Sequence, residues 1–380
     1  MAVTGKNDGD LAKGDNLQEL FDRSKALVSN ARGYIGQFAN AVTVYTSFEL
    51  GRYIVEQEQR GKERADYGAR VLDRLSAYLT AEFGRGFSRA TVANMRQFYL
   101  VYRERESQIV SSPLRQLPAE DFAGIVQTGF RQSPDTLESF PFRLGWSHYQ
   151  VLMRIESKAE RDFYEREAID NVWDVKTLKR QYGSSLYERL ALSRDKNEVM
   201  RLANEGTAPQ RPADLIKSPY VLEFAGLDDK AVYHETDLET AVVDHLQDFL
   251  LEMGKGFLFE RRQKRFQFDW RDYYLDLVLY NRFLRCYVLV DFKADLLSHE
   301  DLGQMQMYVN YYDRHMRLPD ENPTVGILLC KRSDQALVEL TLPEDAHIYA
   351  AEYRLYLPDK KLLQTKLAEW LEEEGADDGE

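Results

Sequence analysis

Tyr273-Tyr274-Leu275-Asp276-Leu277-Val278-Leu279-Tyr280 and Leu284-Arg285-Cys286-Tyr287-Val288-Leu289-Val290-Asp291-Phe292-Lys293 decide the fold of this chain. Both runs are rich in Val, Leu and Tyr and flank a polar break at Asn281-Arg282, so they read as buried β-strands joined in a hairpin. A carboxylate inside such a run costs free energy unless something pairs with it. Asp291 and Lys293 are two apart and face the same side of their strand. A turn near Asn281 to Phe283 brings Asp276, on the preceding strand, within a few residues of Asp291. The register is open at this stage. A flat two-residue turn leaves the carboxylates too far apart to share an ion, so a bulge or strong twist is expected.

Two aspartates offer hard oxygen ligands, which suit Mg²⁺ or Mn²⁺ better than zinc. Such an ion polarises a phosphate and lowers the pKa of a bound water. Lys293 would orient that water or stabilise developing negative charge. The chemistry implied is phosphodiester hydrolysis. Two neighbouring helices offer further groups. Glu239 lies near the start of the helix before the strands and is a candidate metal or water ligand. Gln304 and Tyr308 are four apart on one face of the helix after Lys293, where they could meet a phosphate. Gln263, in the strand upstream, is a lesser candidate. The six histidines show no metal-ligand spacing, and neither a Gly-x-Ser-x-Gly nor a P-loop pattern occurs. Cys286 and Cys330 sit in apolar runs and read as small buried hydrophobes of a reducing cytosol.

At 380 residues the chain is longer than one ordinary core needs, and 44% hydrophobic with 30% charged residues is a globular composition. No apolar run is long enough to span a membrane, and no signal-peptide core is present; a cytoplasmic location is expected. The formal net charge of −13 argues at first against nucleic acid. The first 200 residues are nearly balanced, however, and the acid excess lies C-terminal, partly in the tail Glu372-Glu373-Glu374-Gly375-Ala376-Asp377-Asp378-Gly379-Glu380.

The expected organisation is a flexible leader over 1–18, a helical recognition or docking domain over 19–200, a Pro- and Gly-containing linker over 201–219, an α/β domain over 220–370 and an acidic tail over 371–380. In the first domain Ser88 caps a helix whose buried stripe is Val92, Met95, Tyr99 and Tyr102. Arg89, Arg96 and Arg103 recur every seven residues on another stripe, with Arg85 just upstream. They could follow a nucleic-acid backbone, or form a solvated or protein-docking face. In the second domain the spacing predicts a helix over 235–253 stopped by Gly254, strand structure over 256–268, the central hairpin, a helix over 300–315, a strand over 324–330 and a helix over 360–374.

The order helix-Glu, strand-Asp, Asp-x-Lys, helix-Gln resembles the PD-(D/E)XK nuclease superfamily. More narrowly, the chain is similar to the YhcG-type nucleases of bacteria over about 41–356. The strings carrying the likeness include Glu49-Leu50-Gly51-Arg52-Tyr53, Glu82-Phe83-Gly84-Arg85-Gly86-Phe87-Ser88, Asn94-Met95-Arg96-Gln97-Phe98-Tyr99, Trp146-Ser147-His148-Tyr149, Leu251-Glu252-Met253-Gly254-Lys255-Gly256 and Gly303-Gln304-Met305. The resemblance implies a winged-helix-like, mostly helical N-terminal domain and a restriction-endonuclease-like mixed-sheet α/β core. By motif position it makes Asp276 and Asp291 the acidic pair and Lys293 the lysine, with Glu239 and Gln304 at flanking positions. Leu275 stands where the superfamily's name has proline. A Mg²⁺-dependent DNA endonuclease is expected, paired as a homodimer if it cuts both strands, and linked by resemblance to restriction–modification or other defence components. RNA is the alternative substrate, and a catalytically silent binding module the alternative role.

Overall fold

The computed structural model describes residues 11–60, 65–110, 140–193, 202, 206–217, 219–227, 233–268, 270–333, 335–343 and 346–377. Contacts divide the chain into two compact units, 1–155 and 156–380. Among the described residues no helix is long and apolar enough to cross a membrane.

The first unit is helical: α1 (Leu11–Arg60), α2 (Ala65–Phe83), α3 (Arg89–Tyr102), α4 (Glu106–Val110) and α5 (Trp146–Leu152). Helix α1 begins inside the stretch expected as a leader, and 1–10 lie outside the described residues. Ser88 caps α3 as expected, its hydroxyl accepting the Thr91 N–H at 3.3 Å. The buried stripe is Val92, Met95, Phe98 and Tyr102. Phe98 takes the place expected for Tyr99 because it is the hub of an aromatic cluster. Its ring centroid lies 5.0 Å from Phe142, 5.1 Å from Tyr102 and 5.2 Å from Tyr149. The Tyr99 hydroxyl needs a partner and turns to Glu106 at 3.0 Å. Gly51 lets α1 lie against α3, since a Cβ there would stand 2.1 Å from the Met95 carbonyl oxygen. The described residues of this unit contain no strand, so the winged-helix-like expectation rests on the resemblance alone.

The second unit opens with three helices that the sequence reading assigned to the first domain: α6 (Lys158–Asp170), α7 (Val175–Gly183) and α8 (Leu186–Ala191). A buried ion pair explains the difference. Arg189 on α8 meets Glu252 at 2.5 Å, both side chains fully buried. Arg189 also donates to the Pro219 carbonyl, and Glu252 accepts the Val221 N–H. Such a pair is stable only with its remaining groups satisfied, and here they tie α8 to the sheet domain. The expected linker is likewise packed where it is described. Leu215 and Lys217 are buried, Asp214 accepts the backbone N–H groups of Gln210 and Arg211, and the Lys217 amine donates to the Glu252 carbonyl.

A six-stranded mixed sheet follows, in the order β1-β6-β5-β4-β3-β2. The strands are β1 (Tyr220–Val221), β2 (Phe257–Phe268), β3 (Arg271–Asn281), β4 (Cys286–Leu296), β5 (Val325–Arg332) and β6 (Ile348–Arg354). Strands β2, β3 and β4 are antiparallel neighbours, and β4, β5, β6 and β1 run parallel. Helices α9 (Glu235–Asp244) and α10 (Leu246–Met253) cover one face, burying Leu238, Val242, Phe249 and Met253 against Leu277, Val288 and Val290. The sequence reading joined these two helices; His245, at φ −114°, breaks them apart. Helix α11 (His299–His315) covers the other face, with Leu302, Met305 and Tyr308 against Val278 and Leu289. Gly326 admits α11 to β5, for a Cβ there would stand 2.8 Å from the Met305 side chain. Helices α12 (Gln335–Thr341) and α13 (Lys360–Asp377) complete the unit.

The β3–β4 turn sets the register. The Asn281 side chain is fully buried; its amide nitrogen donates to the Lys255 carbonyl at 3.0 Å, and its oxygen accepts the N–H groups of Phe283 and Leu284. These bonds shape the loop from Arg282 to Arg285 and pair Asn281 with Cys286. Asn281→Ala leaves those backbone groups without their partner and is expected to cost about 1–3 kcal/mol. A urea-unfolding midpoint equal to the wild type's would show that the turn holds without the amide.

Candidate active site

From Asn281↔Cys286 to Leu277↔Val290 the β3–β4 register runs without a shift, and the ladder ends one residue short of Asp276 and Asp291, whose carboxyl groups lie close together. The irregularity expected of the hairpin lies at Asp276 itself. Leu275 and Val278, three apart, both pack beneath α11, while Leu277 packs on the other face. The two-residue alternation therefore breaks at Asp276, and the Phe292 N–H donates to the Asp276 carboxylate at 2.8 Å. Strand β2 is irregular alongside. It has a bulge between Phe259 and Arg261, and Gln263, between the pairs Arg262↔Leu277 and Lys264↔Leu275, adopts φ 46°. That left-handed conformation is strained for a residue other than glycine. It aims the Gln263 amide nitrogen at Glu239, 2.7 Å away, and at Asp276, 3.1 Å away.

Burial, then the neighbouring Asp291 charge, pushes the Asp276 carboxyl up to about 8. Burial also raises Asp291, which is 3% exposed, above the usual carboxylate range. Lys293 lies 2.9 Å from Asp291, 3.4 Å from Glu235 and 3.6 Å from Asp301. Burial works to lower its pKa, but these carboxylates, Asp291 foremost, raise it above the ordinary lysine value. Glu239 is raised mainly by burial and is joined to Asp276 through the Gln263 amide.

The structure thus brings together Asp276, Asp291, Lys293, Glu239 and Gln263. Two further expected residues lie on α11 next to this group. Tyr308 is buried, its hydroxyl donating to the Tyr274 carbonyl at 2.7 Å, so it braces β3 within reach of the charges of Asp291 and Asp276. Gln304 is held by that same hydroxyl at 2.5 Å. Along α3, Arg89 pairs with Asp73 and Arg96 with Glu58, while Arg85 and Arg103 are exposed. Glu235 and Asp301 were missed. Glu235 lies one helical turn before Glu239 and so shares its face. Asp301 was visible as the fourth residue of the capping pattern that begins at Ser298, whose N–H it accepts at 2.8 Å.

A mixed sheet flanked by helices, with paired aspartates and a lysine on adjacent central strands, defines a nuclease core of the PD-(D/E)XK kind. The chain belongs to the YhcG family of PDDEXK nucleases. Residues 213–368 match the YhcG PDDEXK nuclease domain, and 23–189 match the DUF1016 N-terminal domain. The chain is 39% identical over 359 residues to "Putative nuclease YhcG" of Escherichia coli (strain K12), covering 92% of this chain and 93% of that one. A crystal structure of a repair endonuclease from Pyrococcus abyssi aligns with 34% of this chain and 50% of its own at 18% identity, with a TM-score of 0.23, too slight a likeness to carry argument.

The carboxylates predict a pH dependence. Folding raises Asp276 from the ordinary 3.8 to about 8, so between these values the folded state holds a proton that the unfolded chain has released. Stability without metal is expected to fall as pH rises across that window. Asp276→Asn lessens the effect, leaving the part due to Asp291, and the variant is expected to melt a few degrees above the metal-free wild type at pH 9. Equal melting temperatures at pH 5 and pH 9 for both proteins would contradict this account of the carboxylates.

Proposed function

We propose that the chain is a divalent-metal-dependent DNA endonuclease, with Mg²⁺ as the ion and Mn²⁺ able to replace it. The observation that carries the reading is Asp276 beside Asp291 where the β3–β4 ladder ends, with Lys293 2.9 Å from Asp291. The donor chemistry fits a hard cation: the carboxylates are oxygen ligands whose mutual repulsion a doubly charged ion would relieve. Among the described residues no three His, Cys, Asp or Glu side chains gather into a ligand group. Asp276 and Asp291, with Glu239 beside them, would hold the ion together with water and substrate oxygens, a mode that suits Mg²⁺. When bound, the ion supplies Lewis acidity at the phosphate and a more acidic water.

The protein groups divide the remaining work. Lys293, 2.9 Å from Asp291, is suited to hold a phosphate oxygen and stabilise the charge that develops there. Gln263 keeps Glu239 and Asp276 in place through one amide. Glu239, on the rim of the pair, is positioned to accept a hydrogen bond from an attacking water. A role in defence or DNA processing, and a cytoplasmic location, fit the family resemblance.

Supercoiled plasmid incubated with Mg²⁺ is expected to be nicked or linearised by the wild type, and at least about 100-fold more slowly by Asp291→Ala and by Lys293→Ala. Loss of a transition-state interaction worth about 3 kcal/mol has this effect. Equal cleavage by all three proteins sinks the assignment of the site. Tight binding of DNA without cleavage, with every metal tried, identifies a binding module, and cleavage restricted to RNA identifies a ribonuclease. Millimolar Mg²⁺ or Mn²⁺ is also expected to raise the melting temperature of the wild type but not that of an Asp276→Ala, Asp291→Ala double variant. The absence of any shift in the wild type counts against a shared metal site.

A further inference from the structure

Strands β2 and β3 form a long two-stranded ribbon that runs on past the site. Their pairing continues from Gln263 opposite Asp276 to Phe268↔Arg271, and β2 is the outer strand of the sheet. The ribbon is basic in a chain of net charge −13: Arg261, Arg262, Lys264, Arg265 and Arg271 fall within eleven positions, with Asp269 among them and Glu260 and Asp272 at the flanks. Asp272 is committed to Arg265, bonded at 2.9 Å through both carboxylate oxygens, which braces the two strands. Arg261 and Arg262 are exposed and Lys264 half-buried, and among the described residues none of the three makes an ion pair. The Arg–carboxylate pairs of α3 contrast with them. Trp270, beside the last pair of the ribbon, is 94% exposed at φ 65°.

An exposed edge strand needs charge to discourage pairing with another chain, and that alone would account for lysines and arginines on β2. It does not account for a bare indole at the end of the same strand, which invites such contacts. Arg262 adjoins Gln263, whose amide grips both Glu239 and Asp276, so a backbone held by the ribbon leads directly into the carboxylate pair. From Gln263 to Phe268 the strand covers roughly 17 Å at about 3.3 Å per residue. That is the length of about five nucleotides at ~3.4 Å each.

We propose that the β2–β3 ribbon is the clamp that holds the DNA backbone beside the scissile phosphate. Arg261, Arg262 and Lys264 contact phosphates, and Trp270 stacks on a base at the ribbon's end. The proposal rests on the reading of Asp276, Asp291 and Lys293 as the nuclease centre. It moves the principal DNA contact from α3 to the catalytic domain itself.

The test is the affinity of the full chain for a labelled duplex bearing a single-stranded overhang, read by fluorescence anisotropy across salt concentrations. The Asp291→Ala background prevents cleavage from interfering. Adding Arg261→Ala, Arg262→Ala and Lys264→Ala together is expected to weaken binding at least tenfold at moderate salt. It should also reduce the slope of log affinity against log salt by about two to three, at about 0.9 per duplex phosphate contact. Trp270→Leu is expected to weaken binding about tenfold, within the range for loss of one base stack, and to abolish the part of the tryptophan fluorescence quench that the overhang produces. Thermal melting verifies that each variant is folded. Unchanged affinity and slope in the triple variant, with the wild type still cleaving DNA, overturn the clamp and leave the nuclease reading standing. Self-association of the triple variant with unchanged DNA affinity also overturns it, and assigns the charges to edge protection. A wild type that neither binds nor cleaves any DNA overturns both readings.

Discussion

The Asn281 amide is the constraint on which the catalytic half of the molecule depends. It closes the β3–β4 loop by holding one carbonyl and two N–H groups, and the register that follows brings the ladder to the edge of Asp276 and Asp291. A slip of one residue would send every side chain of a strand to the opposite face. The apolar residues of β3 and β4, buried on both faces, would resist burying a misplaced aspartate, so turn and core enforce the same pairing.

Buried charge is treated in two ways within the second unit. Arg189 and Glu252 neutralise each other in full burial and satisfy their remaining groups on backbone atoms. Their role is to fasten helix α8 to the sheet domain. At the other site, Asp276 and Asp291 crowd like charges around a single nearby lysine, and burial and repulsion raise the Asp276 carboxyl to about 8. Unrelieved charge of this kind, beside the strained backbone of Gln263, marks function more than stability. The same contrast separates α3 from the β2–β3 ribbon. The helix arginines largely answer acids of their own unit, whereas the ribbon's Arg261, Arg262 and Lys264 make no ion pair among the described residues.

Much of this was legible in the residues. The β3 and β4 runs were long, apolar and bounded by turn residues, and the Ser88 cap marked a real helix start, its hydroxyl accepting the Thr91 N–H at 3.3 Å. Strand β6 escaped notice because Ile348-Tyr349-Ala350-Ala351-Glu352-Tyr353-Arg354 is rich in alanine and lacks a clear alternation, and β1 spans only Tyr220–Val221. The Tyr99 and Phe98 exchange on α3 turned on which ring could do without water, which spacing alone does not rank. Tyr308 shares the helical face of Gln304, as the spacing predicts; its stacking on Phe266 and its bond to the Tyr274 carbonyl are contacts that spacing does not show.

By itself the sequence determined the kinds of element and the family, because these depend on local periodicity and long matching strings. Only the tertiary structure decided the register that brings Asp276 beside Asp291, the attachment of 156–193 to the sheet domain, and the bridging amide of Gln263. Each of these is a contact between residues distant along the chain, chosen by turn geometry and by the cost of burying an unpaired charge. No local pattern in the sequence encodes either.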